Sequence, residues 1–153
     1  MILKLTALAL TALTLLPSGA HLFELPGKID LEQDAYFTVQ GIYAGWALFI
    51  VPIAGAIVAN IALYVAERRR GGGAAGYALV AASLIVVSLG VFFGFVFPGN
   101  QATANWTAAP DGWQALRRAW EYGHATNAAI LFAALLATGR ALIGRETTAG
   151  RAT

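Results

Sequence analysis

The chain has 153 residues, 58% of them hydrophobic and 12% charged, with a net charge of +2 and no cysteine. A soluble domain carries about 25% charged residues; half that share, gathered into clusters, marks an integral membrane protein of a single domain. The missing cysteines exclude disulfides, thiolate metal sites and a cysteine nucleophile. The basic residues form no stripe of the kind that binds nucleic acid, so that partner class is excluded too.

Four apolar segments follow one another, and a helix needs roughly 20 residues to cross the hydrocarbon core. The first is expected as a helix over 2–23, ended by "LPGK" (25–28), because proline disfavours helix at the residue before it and glycine permits a turn. Its start, "MILK" and an apolar run to "PSGA", also resembles a signal peptide. Cleavage after Ala20 would leave His21 as an N-terminal amine able to chelate copper, whereas a retained helix gives an even bundle of four. Retention is the working expectation.

The second segment is expected over 36–66, kinked at Pro52, with Asn60 bonding to another helix. "RRRGGG" (68–73) is a charged turn. The third covers 74–97 and ends at "FPGN" (97–100); the fourth follows Pro110-Asp111-Gly112 and covers 113–143. The pairs Gly41/Gly45 and Gly90/Gly94 read as close helix contacts. The expected fold is an all-α integral membrane four-helix up-down bundle, one domain over 1–146 with a short cytoplasmic tail over 147–153.

Basic residues set the orientation. Lys4, Arg68, Arg69, Arg70, Arg140, Arg145 and Arg151 fall on one side and Lys28, Arg117 and Arg118 on the other, which places both termini in the cytoplasm of a bacterial-type inner (plasma) membrane. Tyr36, Tyr43, Trp46, Trp106, Trp113 and Trp120 are then expected as an outer aromatic belt.

Two polar pairs stand out. His21 and Glu24 lie three apart near the end of the first helix, and Glu121 and His124 lie three apart near the start of the fourth. Residues three apart share a helix face. The first helix runs outward and the fourth inward, so the reversed order sets imidazole level with imidazole and carboxylate level with carboxylate. His21, Glu24, Glu121 and His124 therefore form a candidate site for one transition-metal ion, iron or copper. Without a metal, the same residues make an acid–base site with His21, His124 and Glu121 as catalytic groups. The bland alternative is two polar helix ends, with Glu121 paired to Arg117.

"HLFELPGK", "YFTVQGIYAGW", "FPGN" with Trp106, and "WQALRRAWEYGHA" follow one another as in the anthrone oxygenase-like family of small four-helix membrane proteins, and the resemblance covers residues 20–143. Its most specific part is Pro98, Asn100, Trp106, Leu116, Arg117, Trp120, Glu121 and His124. It departs from the family at Asn127, where an arginine is expected. The resemblance implies an oxygen-dependent oxidation of a flat, lipophilic phenolic or anthrone-like substrate, with Asn100 and Arg117 orienting its oxygen and Trp106 and Trp120 flanking its ring. Membrane lipid and the lipophilic small molecule are the expected partners, and the sequence allows a homo-oligomer. The alternative is a non-enzymatic membrane accessory or small-molecule-binding protein of the same fold.

Overall fold

The computed structural model of the chain describes residues 1–71 and 73–143, and among these there is no strand. The helices are α1 (Ile2–Lys28), α2 (Gln33–Gln40), α3 (Ile50–Arg69), α4 (Ala75–Val91), α5 (Phe97–Ala102) and α6 (Trp113–Ile143). Short 3-10 turns, Gly41–Tyr43 and Trp46–Phe49, join α2 to α3, and a π-helical segment, Phe92–Val96, fuses α4 to α5. Four stretches, Ile2–Lys28, Trp46–Arg69, Ala75–Ala102 and Trp113–Ile143, are long and apolar enough to cross a membrane. The architecture is an all-α up-down bundle of membrane type. Neighbours follow the ring α1–α3–α4–α6 and back to α1, so the first and last long helices pack side by side. The tail expected over 147–153 lies outside the described residues.

Three expected boundaries move, and proline is the reason at two of them. α1 does not stop at Phe23: it continues through Pro26 to Lys28, with Ile29 N–H still donating to Leu25 O at 3.0 Å. Proline removes one hydrogen bond, but the rest of the ladder holds. The third span likewise continues past Pro98 to Ala102. There the backbone widens to a π turn, and Phe97 N–H reaches back to Phe92 O, one residue further than in an α-helix. The expected 36–66 helix, by contrast, breaks at Ala44–Gly45, where Gly45 takes φ +86°. Pro52 then falls in the first turn of α3, where a missing N–H breaks no bond, so it does not kink an interior.

The buried seam of α1 is polar: Ala7, Thr11, Thr14, Ser18, His21 and Lys28 face inward, while Leu5, Leu13, Leu16 and Phe23 face outward. In lipid this inversion is expected, because apolar side chains lose nothing by facing hydrocarbon and polar ones gain partners inside. Mid-bundle, Asn60 Nδ2 donates to Thr11 Oγ1 and Thr138 Oγ1 donates to Asn60 Oδ1, each at 3.0 Å, tying α1, α3 and α6 as expected for Asn60. At the end near Met1, Glu67 is buried and meets Lys4 at 3.4 Å and Arg70 at 3.1 Å.

Close helix approach is not made by the expected glycine pairs. A Cβ at Gly41, Gly45, Gly90 or Gly94 would meet nothing within 4 Å. The tightest contact among the described glycines is at Gly123, where a Cβ would lie 2.9 Å from Val96 Cγ2 and 3.2 Å from Phe95 Cβ. Gly123 lets α6 press against the π segment, directly beside His124.

Candidate functional site

α1 and α6 bring the two polar pairs together at the end of the bundle remote from Met1. The imidazoles of His21 and His124 lie 4.1 Å apart between ring centroids, and both residues are buried. Glu121 is fully buried, while the Glu24 side chain sits at the margin with 35% exposure. His21 Nδ1 lies 3.7 Å from Glu24 Oε2, too far for a hydrogen bond.

Between the carboxylates stands Lys28. Its Nζ lies 3.2 Å from Glu121 Oε1 and 3.4 Å from Glu24 Oε2 and donates to Tyr43 Oη at 2.7 Å. It also sits over the rings of Tyr43, at 4.6 Å, and Trp120, at 5.1 Å. Lys28 reaches this position because α1 continues past Pro26: residues 21, 24 and 28 then share one face. An ammonium thus occupies the centre of the predicted ligand set.

Each carboxylate also accepts from a phenol. Tyr36 Oη donates to Glu121 Oε1 at 2.9 Å, and Tyr43 Oη donates to Glu24 Oε2. Burial, reinforced by the adjacent carboxylates, raises both phenols well above their ordinary value, so they stay protonated donors. Glu121 bonds to Tyr36 and Lys28, not to Arg117. Arg117 donates instead to Leu31 O at 2.6 Å and lies over the rings of Trp113 and Tyr36 at 4.7 and 5.3 Å.

The tryptophans are held from below. Asn100 Oδ1 accepts the indole N–H of Trp120 at 2.8 Å and of Trp106 at 3.1 Å. Trp106 arrives there by a turn in which Ala104, Asn105 and Trp106 all have positive φ, a conformation costing about 1–2 kcal/mol per non-glycine residue. Asn105 N–H to Asn100 O at 2.6 Å and Trp106 N–H to Thr103 Oγ1 at 2.9 Å hold the turn. Strain of this kind gathers where a side chain must be aimed. Trp120 then stands edge-on to both imidazoles, 4.6 Å from His21 and 4.3 Å from His124. The expected aromatic belt is in large part an internal cluster, since Tyr36, Trp106, Trp113 and Trp120 are buried.

His21, Glu24, Glu121, His124, Trp120, Trp106 and Asn100 therefore meet at one end, with Arg117 one turn away. Lys28, Tyr36 and Tyr43 were missed as site residues; the signal for Lys28 was its spacing from Glu24, concealed by Pro26. Among the described residues no three His, Asp or Glu side chains are arranged to hold a metal ion. The imidazoles converge, but the carboxylates are turned toward Lys28. Among the described residues, the buried side-chain atoms lacking a partner are His21 Nδ1, His124 Nδ1, Glu121 Oε2, Asn127 Oδ1, Arg117 Nε and both polar atoms of Gln40. All belong to this end of the bundle, whereas the Asn60 knot is satisfied. Set against family models, curated proteins and solved structures, the chain matches none.

Proposed function

We propose that the protein is a membrane-embedded oxidoreductase, an oxygenase acting on a flat phenolic or anthrone-like lipophilic substrate at the His21–His124 end of the bundle. That end faces outward and both termini face the cytoplasm of a bacterial-type inner membrane. The observation that carries the reading is the concentration of partnerless buried polar atoms around two adjacent imidazoles walled by aromatic rings. A buried unsatisfied group costs about 1–3 kcal/mol, and a fold that bears several together is shaped for a ligand rather than for stability. The resemblance to the anthrone oxygenase-like family points to the same chemistry.

The reading supported best uses the side chains alone. The imidazole pair accepts a proton from an acidic C–H or O–H of the substrate. The Lys28 ammonium, held by Glu24 and Glu121, stabilises the developing anion. Trp120 and Trp106, both fixed through Asn100, flank its ring. Arg117, anchored on the Leu31 carbonyl, presents its guanidinium to the face of the ring. The electron-rich carbanion gives its electrons to molecular oxygen and forms a carbon–oxygen bond. Loss of the second C–H proton then breaks the O–O bond: the methylene becomes a carbonyl, and the other oxygen atom leaves as water with both hydrogens.

A second reading, a single iron or copper ion on His21, His124, Glu24 and Glu121, is favoured by the partnerless Nδ1 atoms of both histidines. It requires Lys28 to leave the carboxylates. Incubation of the purified protein with an anthrone under ¹⁸O-labelled oxygen tests the activity: the quinone should gain one labelled atom. Quinone formation no faster than in protein-free vesicles would favour the non-enzymatic binding alternative. Metal analysis separates the two catalytic readings. Activity without stoichiometric metal is expected, and one iron or copper per chain, lost in His124→Ala, would establish the second.

A further inference from the structure

α2 is attached to the bundle in an unusual way. Its eight residues have no broad packing contact with any of the four long helices. Glu32, Gln33, Asp34, Ala35 and Thr38 are exposed, while Tyr36 is completely buried and Gln40, at the end of α2, is buried too. Tyr36 and Phe37 insert between Trp106 and Trp113, and Arg117 holds the preceding Leu31 carbonyl. On the far side the chain turns at Gly45, whose φ of +86° suits a hinge. Tyr36 is thus a plug on a strap.

What the plug is made of matters. Its phenol donates to the buried Glu121 carboxylate, its ring meets Trp106 edge-on at 5.2 Å, and the Arg117 guanidinium lies 5.3 Å from its centre. Those are the contacts that a flat phenolic ligand would seek: an anionic acceptor for the hydroxyl, aromatic walls and a cation over the face. Glu121 Oε2 stands beside the occupied oxygen without a partner.

We propose that Tyr36 is the resident occupant of the substrate's own seat, and that a phenolic ligand enters by replacing the Tyr36 hydroxyl on Glu121 while α2 swings aside. This deepens the proposed function and rests on it, since it takes the substrate to be a phenol or enol. The strap is an autoinhibitory contact, and its removal should show as tighter binding, because a competing internal ligand lowers apparent affinity by the fraction of sites it fills.

The test uses full-length protein in lipid nanodiscs, 2-naphthol as a flat phenol and 2-methylnaphthalene as a control without the hydroxyl. Amide hydrogen exchange over 33–40 and tryptophan fluorescence are recorded, with the melting temperature of each variant checked first. 2-Naphthol should bind saturably and accelerate exchange over 33–40, and the control should do neither. Tyr36→Phe keeps the ring but cannot donate to Glu121, and it should bind 2-naphthol about tenfold more tightly. Slower exchange over 33–40 on binding, with unchanged affinity in Tyr36→Phe, would overturn the displacement while leaving the phenol site standing. Saturable binding by neither protein would overturn the proposed function and the displacement together.

Discussion

Lys28 is the residue on which the site's electrostatics turn. Its side chain is 5% exposed and its partner Glu121 is completely buried. Removing one member of a buried ion pair leaves the other uncompensated, at about 3–5 kcal/mol. Lys28→Met should therefore lower unfolding stability by about that amount in detergent, and adding Glu121→Gln should restore much of it. The two site phenols make a second test. Their folded values are raised, so the stability they contribute is complete below about pH 10, the unfolded value, and is lost as pH climbs above it while only the unfolded chain ionises. Ultraviolet titration of the folded protein should accordingly leave Tyr36 and Tyr43 unionised well above pH 10. The mirrored spacing of His21–Glu24 and Glu121–His124 was readable from sequence because helical periodicity alone fixes which residues share a face. Lys28, Tyr36 and Tyr43 were not, because their roles depend on α1 surviving Pro26 and on where α2 lays its plug, and neither follows from local periodicity.

At the scale of elements, hydropathy located all four spans because lipid imposes length and apolarity on any helix that crosses it. It misplaced the ends for a reason internal to the same physics. Without competing water a helix keeps its remaining hydrogen bonds, so a proline that would stop a soluble helix is absorbed, at Pro26 within the α ladder and at Pro98 by a π turn. Motif spacing likewise misidentified the glycines that matter. Gly123 is recognisable only once α6 is seen against Phe95 and Val96. In Gly123→Ala the Val96 and Phe95 side chains, or the segment that carries them, must give way, and the change should cost about 1–3 kcal/mol as an overpacking substitution. A lowered melting temperature checks this. Gly90→Ala, with open space around it inside a helix, should hold or slightly raise the melting temperature.

The whole molecule has two dissimilar ends joined by a satisfied polar core. Near Met1, Lys4, Glu67 and Arg70 form an ion cluster beside Arg68 and Arg69; at the other end Lys28 and Arg117 are drawn inside and spent on Glu24, Glu121 and Leu31. This sharpens the basic asymmetry behind the proposed orientation, since of Lys28, Arg117 and Arg118 it is Arg118 that stays exposed. Reporter fusions after Arg70 and at the C-terminus should both read cytoplasmic, and a periplasmic C-terminus would invert the topology. On the proposed function, the imidazole pair carried by α1 and α6 is a working centre and not merely two polar helix ends. Oxygen consumption by the purified protein with an anthrone, compared across wild type, His21→Ala and His124→Ala, tests it most directly. Wild type should take up one oxygen molecule per anthrone, and the rate should fall by at least about a hundredfold in each variant, the scale of a lost general base, with helical content and monodispersity unchanged. Equal oxygen uptake by wild type and by well-folded histidine variants would contradict it.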